Sequence, residues 1–131
     1  MNNYQLTIKE VLDIIKTSRE YTTKISTPEL HTITVKELLT SVLNLKHSFE
    51  LIFSELKSVV IEHNNNYTLA ILETIEYVED TQDVITALTN YDTSVKGLSK
   101  LPKTRLVAIY LHLENLMYRI EDIMEDVQNA E

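Results

Sequence analysis

A single glycine, Gly97, must serve every position in 131 residues where a β-carbon is not tolerated. Folds rich in β-structure spend glycine and proline on many tight turns, and this chain has one glycine and two prolines, Pro28 and Pro102. Few turns mean long elements, and long elements that bury one face are helices. The absence of cysteine removes disulfide frameworks, thiolate zinc sites and cysteine nucleophiles. A glycine-rich phosphate loop is excluded for the same reason as a β-rich fold.

The apolar periodicity agrees. Val35, Leu38, Val42, Leu45, Phe49, Ile52, Leu56, Val59 and His63 alternate in steps of three and four, the pattern of a coiled-coil seam. Leu106, Ile109, Leu113, Leu116, Ile120, Ile123 and Val127 repeat it near the C-terminus. A capping box at Thr7 and Glu10 predicts a first, shorter helix ending near Ile25. Thr27-Pro28-Glu29 predicts a short turn, and Thr34 with Glu37 opens a long helix to His63. Asn64-Asn65-Asn66 tolerates left-handed backbone and is expected to be the tightest turn. A third helix is predicted over 67–91, a loop over 92–104, and a last helix from Leu106. The expectation is one all-α domain spanning 1–131: a four-helix bundle with left-handed, coiled-coil-like packing. Two heptad seams of this quality also predict self-association, so a homo-oligomer is expected.

The net charge of −8 is unevenly placed. Residues 1–57 are neutral, residues 58–95 carry seven acids and no lysine or arginine, and Lys96, Lys100, Lys103 and Arg105 form a basic island. The last 26 residues hold one base, Arg119, against six acids. Half the chain would repel phosphates, so direct nucleic-acid binding is not expected. No run approaches the roughly 18 apolar residues of a membrane span. With no signal-peptide pattern either, a cytoplasmic protein without membrane contact is expected. Abundant Ile, Asn, Thr and Tyr with little Gly or Pro point to an AT-rich coding source, such as a low-GC bacterium, its phage or another mobile element.

The chemistry available to a helical bundle is mostly missing. A di-iron centre needs Glu-x-x-His on two helices, and the residues three before the four histidines are Pro28, Asn44, Val60 and Ile109. Glu73 with Glu76, and Asp122 with Glu125, resemble the paired acids of magnesium-dependent all-α nucleotide pyrophosphatases, but no basic residue completes a triphosphate site. His47 lies opposite the long-helix seam, as a phosphotransfer histidine would, yet Ser48, Phe49 and Glu50 follow it where that family has lysine and glycine. Arg105 and His112 resemble the pair of helical ribonuclease toxins, with Leu106 where a polar residue belongs. The sequence therefore predicts no catalysis, no cofactor and no metal.

The third helix carries the informative surface. Ile71, Ile75, Val78, Gln82 and Ile85 define one side. Nearly opposite lie Glu73, Tyr77, Asp80, Val84, Leu88 and Tyr91, flanked by Glu76 and Asp83. Large apolar groups supply contact area and acids supply steering, so these eight residues are the candidate partner-binding strip, facing a protein with a basic surface. Leu111 and Tyr118, beside Glu114, Glu121 and Glu125, suggest a similar surface on the last helix. Glu79-Asp80-Thr81-Gln82-Asp83 resembles the acidic Glu-Asp-x-x-Asp motif of the signalling coiled-coil domains of plant immune receptors, with Thr81 and Gln82 replacing the usual aliphatic pair. That resemblance implies a four-helix signalling unit. The expected function is an adaptor, inhibitor or regulatory subunit acting by protein–protein contact, with an acidic decoy that mimics nucleic acid as the alternative.

Overall fold

Long amphipathic segments with side-chain caps account for almost every element of the computed structural model, which describes residues 2–21, 24–62 and 64–130. Among these residues there are six helices and no strand: α1 (Asn3–Tyr21), α2 (Thr27–Thr32), α3 (Val35–Lys57), α4 (Asn66–Leu88), α5 (Val95–Ser99) and α6 (Lys103–Asn129). The four long helices form the bundle. α6 packs against α1, α3 and α4, and the buried side chains of all six helices join in one core.

Both predicted seams face that core. Leu38, Val42, Leu45, Phe49, Ile52 and Leu56 of α3 are buried, as are Leu106, Ile109, Leu113, Leu116, Ile120 and Val127 of α6, with Ile123 half-buried. Val35 departs from the seam: it is the first residue of α3 and is 42% exposed. Val59 lies beyond the helix end and is half-buried. His63, predicted to close the seam, and Thr22 and Thr23, on the predicted path to Ile25, lie outside the described residues. The buried members of both seams are satisfied within one chain and so are not available to a second copy.

Several boundaries differ from the sequence expectation, each for a local hydrogen-bonding reason. α1 starts four residues before Thr7, at a reciprocal box in which the Gln5 N–H donates to Asn2 Oδ1 and the Asn2 N–H donates to Gln5 Oε1, both at 2.9 Å. Thr7 is instead buried inside the helix. Ser26 rather than Thr27 caps α2, its Oγ accepting from the Glu29 N–H. The asparagine run does not end a helix: Asn65 begins α4, in a capping box with Thr68. The left-handed turn comes at the other end of α4. Asn90 takes φ 55°, its N–H donates to the Ala87 carbonyl, and the Tyr91 N–H donates to the Thr86 carbonyl at 2.8 Å. That is the Schellman pattern with asparagine where glycine usually sits.

The predicted loop over 92–104 contains α5, capped by Ser94, whose Oγ accepts from the Gly97 N–H. Gly97 is required by proximity rather than by φ. A β-carbon there would collide with the Asp92 carbonyl oxygen and Cγ. The lone glycine lets α5 settle directly on Asp92, and Leu98 beside it becomes a core residue.

Candidate partner-binding surface

The structure divides the predicted strip into three parts. Glu73, Glu76, Asp80 and Asp83 are exposed on α4, and Val84 is 40% exposed among them. Tyr77 and Leu88 turn aside toward the neighbouring helices and pack half-buried against the core. Tyr91 is not on the helix at all. It follows the Schellman turn at φ 66° and is 82% exposed.

The reason lies in how α4 meets α6. Ala70, Thr74, Tyr77 and Leu88 share one flank of α4 at helical spacing. Tyr77 lines a groove with Tyr118, Arg119 and Ile123 of α6. The Arg119 guanidinium stacks 4.7 Å from the Tyr77 ring centroid, so one face of that ring is already occupied. Leu88 lies where Arg105 closes the helix end, its carbonyl accepting from Arg105 Nη1 at 2.8 Å. That donor sits near the negative end of the α4 dipole and gives Arg105, part of the basic island, a structural task.

Two residues that sequence reasoning passed over complete the outward arc. Leu69 is 58% and Leu72 45% exposed, and helical spacing places them beside Glu73, Glu76, Asp80 and Asp83. They precede the acids in the first two turns of α4. Gln82, expected on the buried side, is exposed where α3 and α4 do not close over it. Among the described residues the one ion pair on this helix is a loose one, Lys57 Nζ to Glu79 Oε1 at 3.9 Å between exposed groups.

The acidic-aromatic surface expected on α6 is covered in part, at Tyr118, Glu114 and Glu121, while Glu125 is exposed. Tyr118 is half-buried between Arg19 at 4.4 Å and Lys24 at 4.9 Å from its ring centroid. Arg19 also donates from Nη1 to both carboxylate oxygens of Glu121, at 2.6 and 2.7 Å. Glu114 is half-buried beside these cations. Burial raises its pKa above the usual carboxylate value, against the opposing pull of Arg19 and Lys24. Leu111 remains 42% exposed. Arg19 of α1 and Lys24 beyond its end thus offset the charge of Glu114 and Glu121, while Asp122, Glu125 and Asp126 of α6 stay exposed.

The paired acids of the pyrophosphatase alternative do not assemble. Glu73 and Asp122 border the same groove with Asp126, but no group of three His, Asp or Glu among the described residues is placed to hold a metal ion. His47 is exposed in the groove between α1 and α3. Among the described residues no helix is long and apolar enough to cross a membrane.

No family model matches the chain, and no solved structure matches it. A curated protein does: over 129 residues the chain is 67% identical to "Early protein GP17" of Bacillus phage B103, covering 98% of this chain and 99% of that protein. A phage relative agrees with the AT-rich source read from composition.

Proposed function

The chain belongs to the same family as early protein GP17 of Bacillus phage B103, and from that premise we propose that it is a non-enzymatic phage protein that docks a basic protein partner on the outward arc of α4. The observation that carries this reading is the composition of that arc. Leu69, Leu72 and Val84 are exposed beside Glu73, Glu76, Asp80 and Asp83, and residues 58–95 contain no lysine or arginine. Apolar area supplies affinity while unopposed carboxylates raise the rate of encounter with a positive surface. The partner would be regulated or blocked by the contact, as an adaptor, inhibitor or regulatory subunit would do, inside the infected cell.

The alternative of a nucleic-acid mimic uses the same carboxylates but gives Leu69 and Leu72 no task. The buried seam residues give self-association no surface, and a second copy docking on the α4 arc is distinguished by the mass of the crosslinked product. The test is a photo-crosslinking scan in infected cells, with the reactive group placed in turn at Glu76, Asp80, Lys36 and Glu125. The reading predicts one discrete product from the two α4 positions and none from the others. Equal yields from Lys36 and Glu125 would remove α4 as the docking face, and a product of exactly two chains would identify the partner as a second copy.

A further inference from the structure

Steering by the acids of α4 does not explain what would hold a partner once it arrives. Beside the acidic arc, α3 and α4 stand apart and leave a crevice of about 380 Å³. Its apolar lining comes from four helices: Val42 and Phe49 of α3, Ile85 of α4, Leu98 of α5, and Ile109 and Leu113 of α6. These side chains belong to the core and are almost fully buried, so the crevice is a dip between two helices with core side chains at its floor and polar side chains for its walls. Its mouth is polar and includes Asp83, one of the four outward acids of α4. Lys46, the cation at the mouth, is engaged by Glu50 at 2.9 Å, and no described cation pairs with Asp83.

We infer that this crevice receives one large apolar side chain from a basic amphipathic helix of the partner, whose lysines or arginines meet Asp83 at its edge and Asp80 one turn away on the outward face of α4. The inference rests on the reading of α4 as the docking face and adds the anchor to it. The volume suits a single large side chain, within the range of pockets that hold small ligands. Helices that bind in grooves do so through a few apolar anchors spaced three or four residues apart. Anchors that carry binding energy sit in desolvated pockets surrounded by polar contacts. The excess of carboxylate at the mouth favours an occupant with positive charge beside its apolar group and penalises an acidic one.

The chain contains no tryptophan, so a tryptophan-bearing probe can be excited without background from the protein. The probe is a synthetic helical lysine–leucine peptide with one central tryptophan, titrated with the full chain at low salt. Three comparisons are made: the probe with its tryptophan replaced by alanine, the variant Thr86→Phe, and the double variant Asp80→Lys/Asp83→Lys. Thr86 is half-buried and borders the crevice, so phenylalanine there fills the space without altering charge. Circular dichroism and melting confirm the fold, and Thr93→Phe fills the crevice from the loop side if Thr86→Phe does not fold.

The expected result is a blue-shifted probe emission with wild-type protein, and binding weakened about tenfold or more by filling the crevice or by removing the tryptophan. Charge reversal should weaken binding most at low salt. If charge reversal abolishes binding while the filled variants bind as tightly as wild type, the α4 face stands and the crevice anchor is overturned. If filling blocks binding and charge reversal changes nothing, the basic occupant is overturned. A probe that does not bind wild-type protein overturns the anchor directly, while the crosslinking scan still decides the α4 face on its own.

Discussion

Replacing Tyr77 with alanine separates a residue that holds the bundle together from one that holds a partner. The ring is half-buried, packed against the core and covered on one face by Arg119. A tyrosine buries roughly 200 Å² when fully enclosed, so about half of that at roughly 25 cal/mol per Å² is worth about 2.5 kcal/mol. Loss of the exposed cation–π contact adds about 0.5–1 kcal/mol. Alanine returns about 0.5 kcal/mol through its better helix propensity. The net cost is about 2.5–3 kcal/mol, a fall in Tm of roughly 10 °C for a domain of this size. Urea denaturation read by far-UV circular dichroism measures it, and a double-mutant cycle with Arg119→Ala isolates about 0.5–1 kcal/mol of coupling. A Tyr77→Ala protein within 0.5 kcal/mol of wild type, with its partner binding lost, would refute the structural role and return Tyr77 to the docking surface.

Gly97→Ala should destabilise by about 1–3 kcal/mol despite alanine's helix preference, because the new β-carbon meets the backbone carbonyl of Asp92 and displaces the Ser94 cap; a higher denaturation midpoint would show that α5 does not sit on Asp92. Glu114 has a raised pKa in the fold, so its contribution is most favourable below the ordinary carboxylate range and is lost as pH rises through the raised value. Glu114→Gln should therefore match wild type in acid and exceed it at neutral pH, as urea midpoints at the two conditions will show; a neutral-pH deficit would mean that Arg19 and Lys24 outweigh burial.

The four long helices were legible because periodicity and burial are the same physical fact, as Leu38 to Leu56 illustrate. Caps were read less well wherever the residue type was right and the partner was not. Thr7–Glu10 and Asn2–Gln5 both satisfy a capping spacing, and only the second leaves Tyr4, Thr7 and Ile8 together on the buried side. Asn65 and Asn90 show the same ambiguity, since asparagine serves at either end of a helix. In the binding strip the exposed acids were recognisable, but the split of its apolar members depends on which flank α6 covers. Tyr77 faces Arg119, forty-two residues further along the chain, and no local pattern encodes that meeting. The exposure of Leu69 and Leu72 has the same origin: among the described residues no helix covers that part of α4.

The central claim is that the acids of α4 steer a basic protein onto this face. Once the crosslinked partner is identified and purified, its association rate with wild type and with Glu76→Lys/Asp80→Lys/Asp83→Lys decides the matter. All three positions are exposed, so each reversal should leave folding stability within about 0.5 kcal/mol. The account predicts that reversal slows association about tenfold or more at low ionic strength, and that the difference shrinks toward physiological salt as the charges are screened. An association rate unchanged by reversal at low salt, in a protein that remains folded, would contradict it.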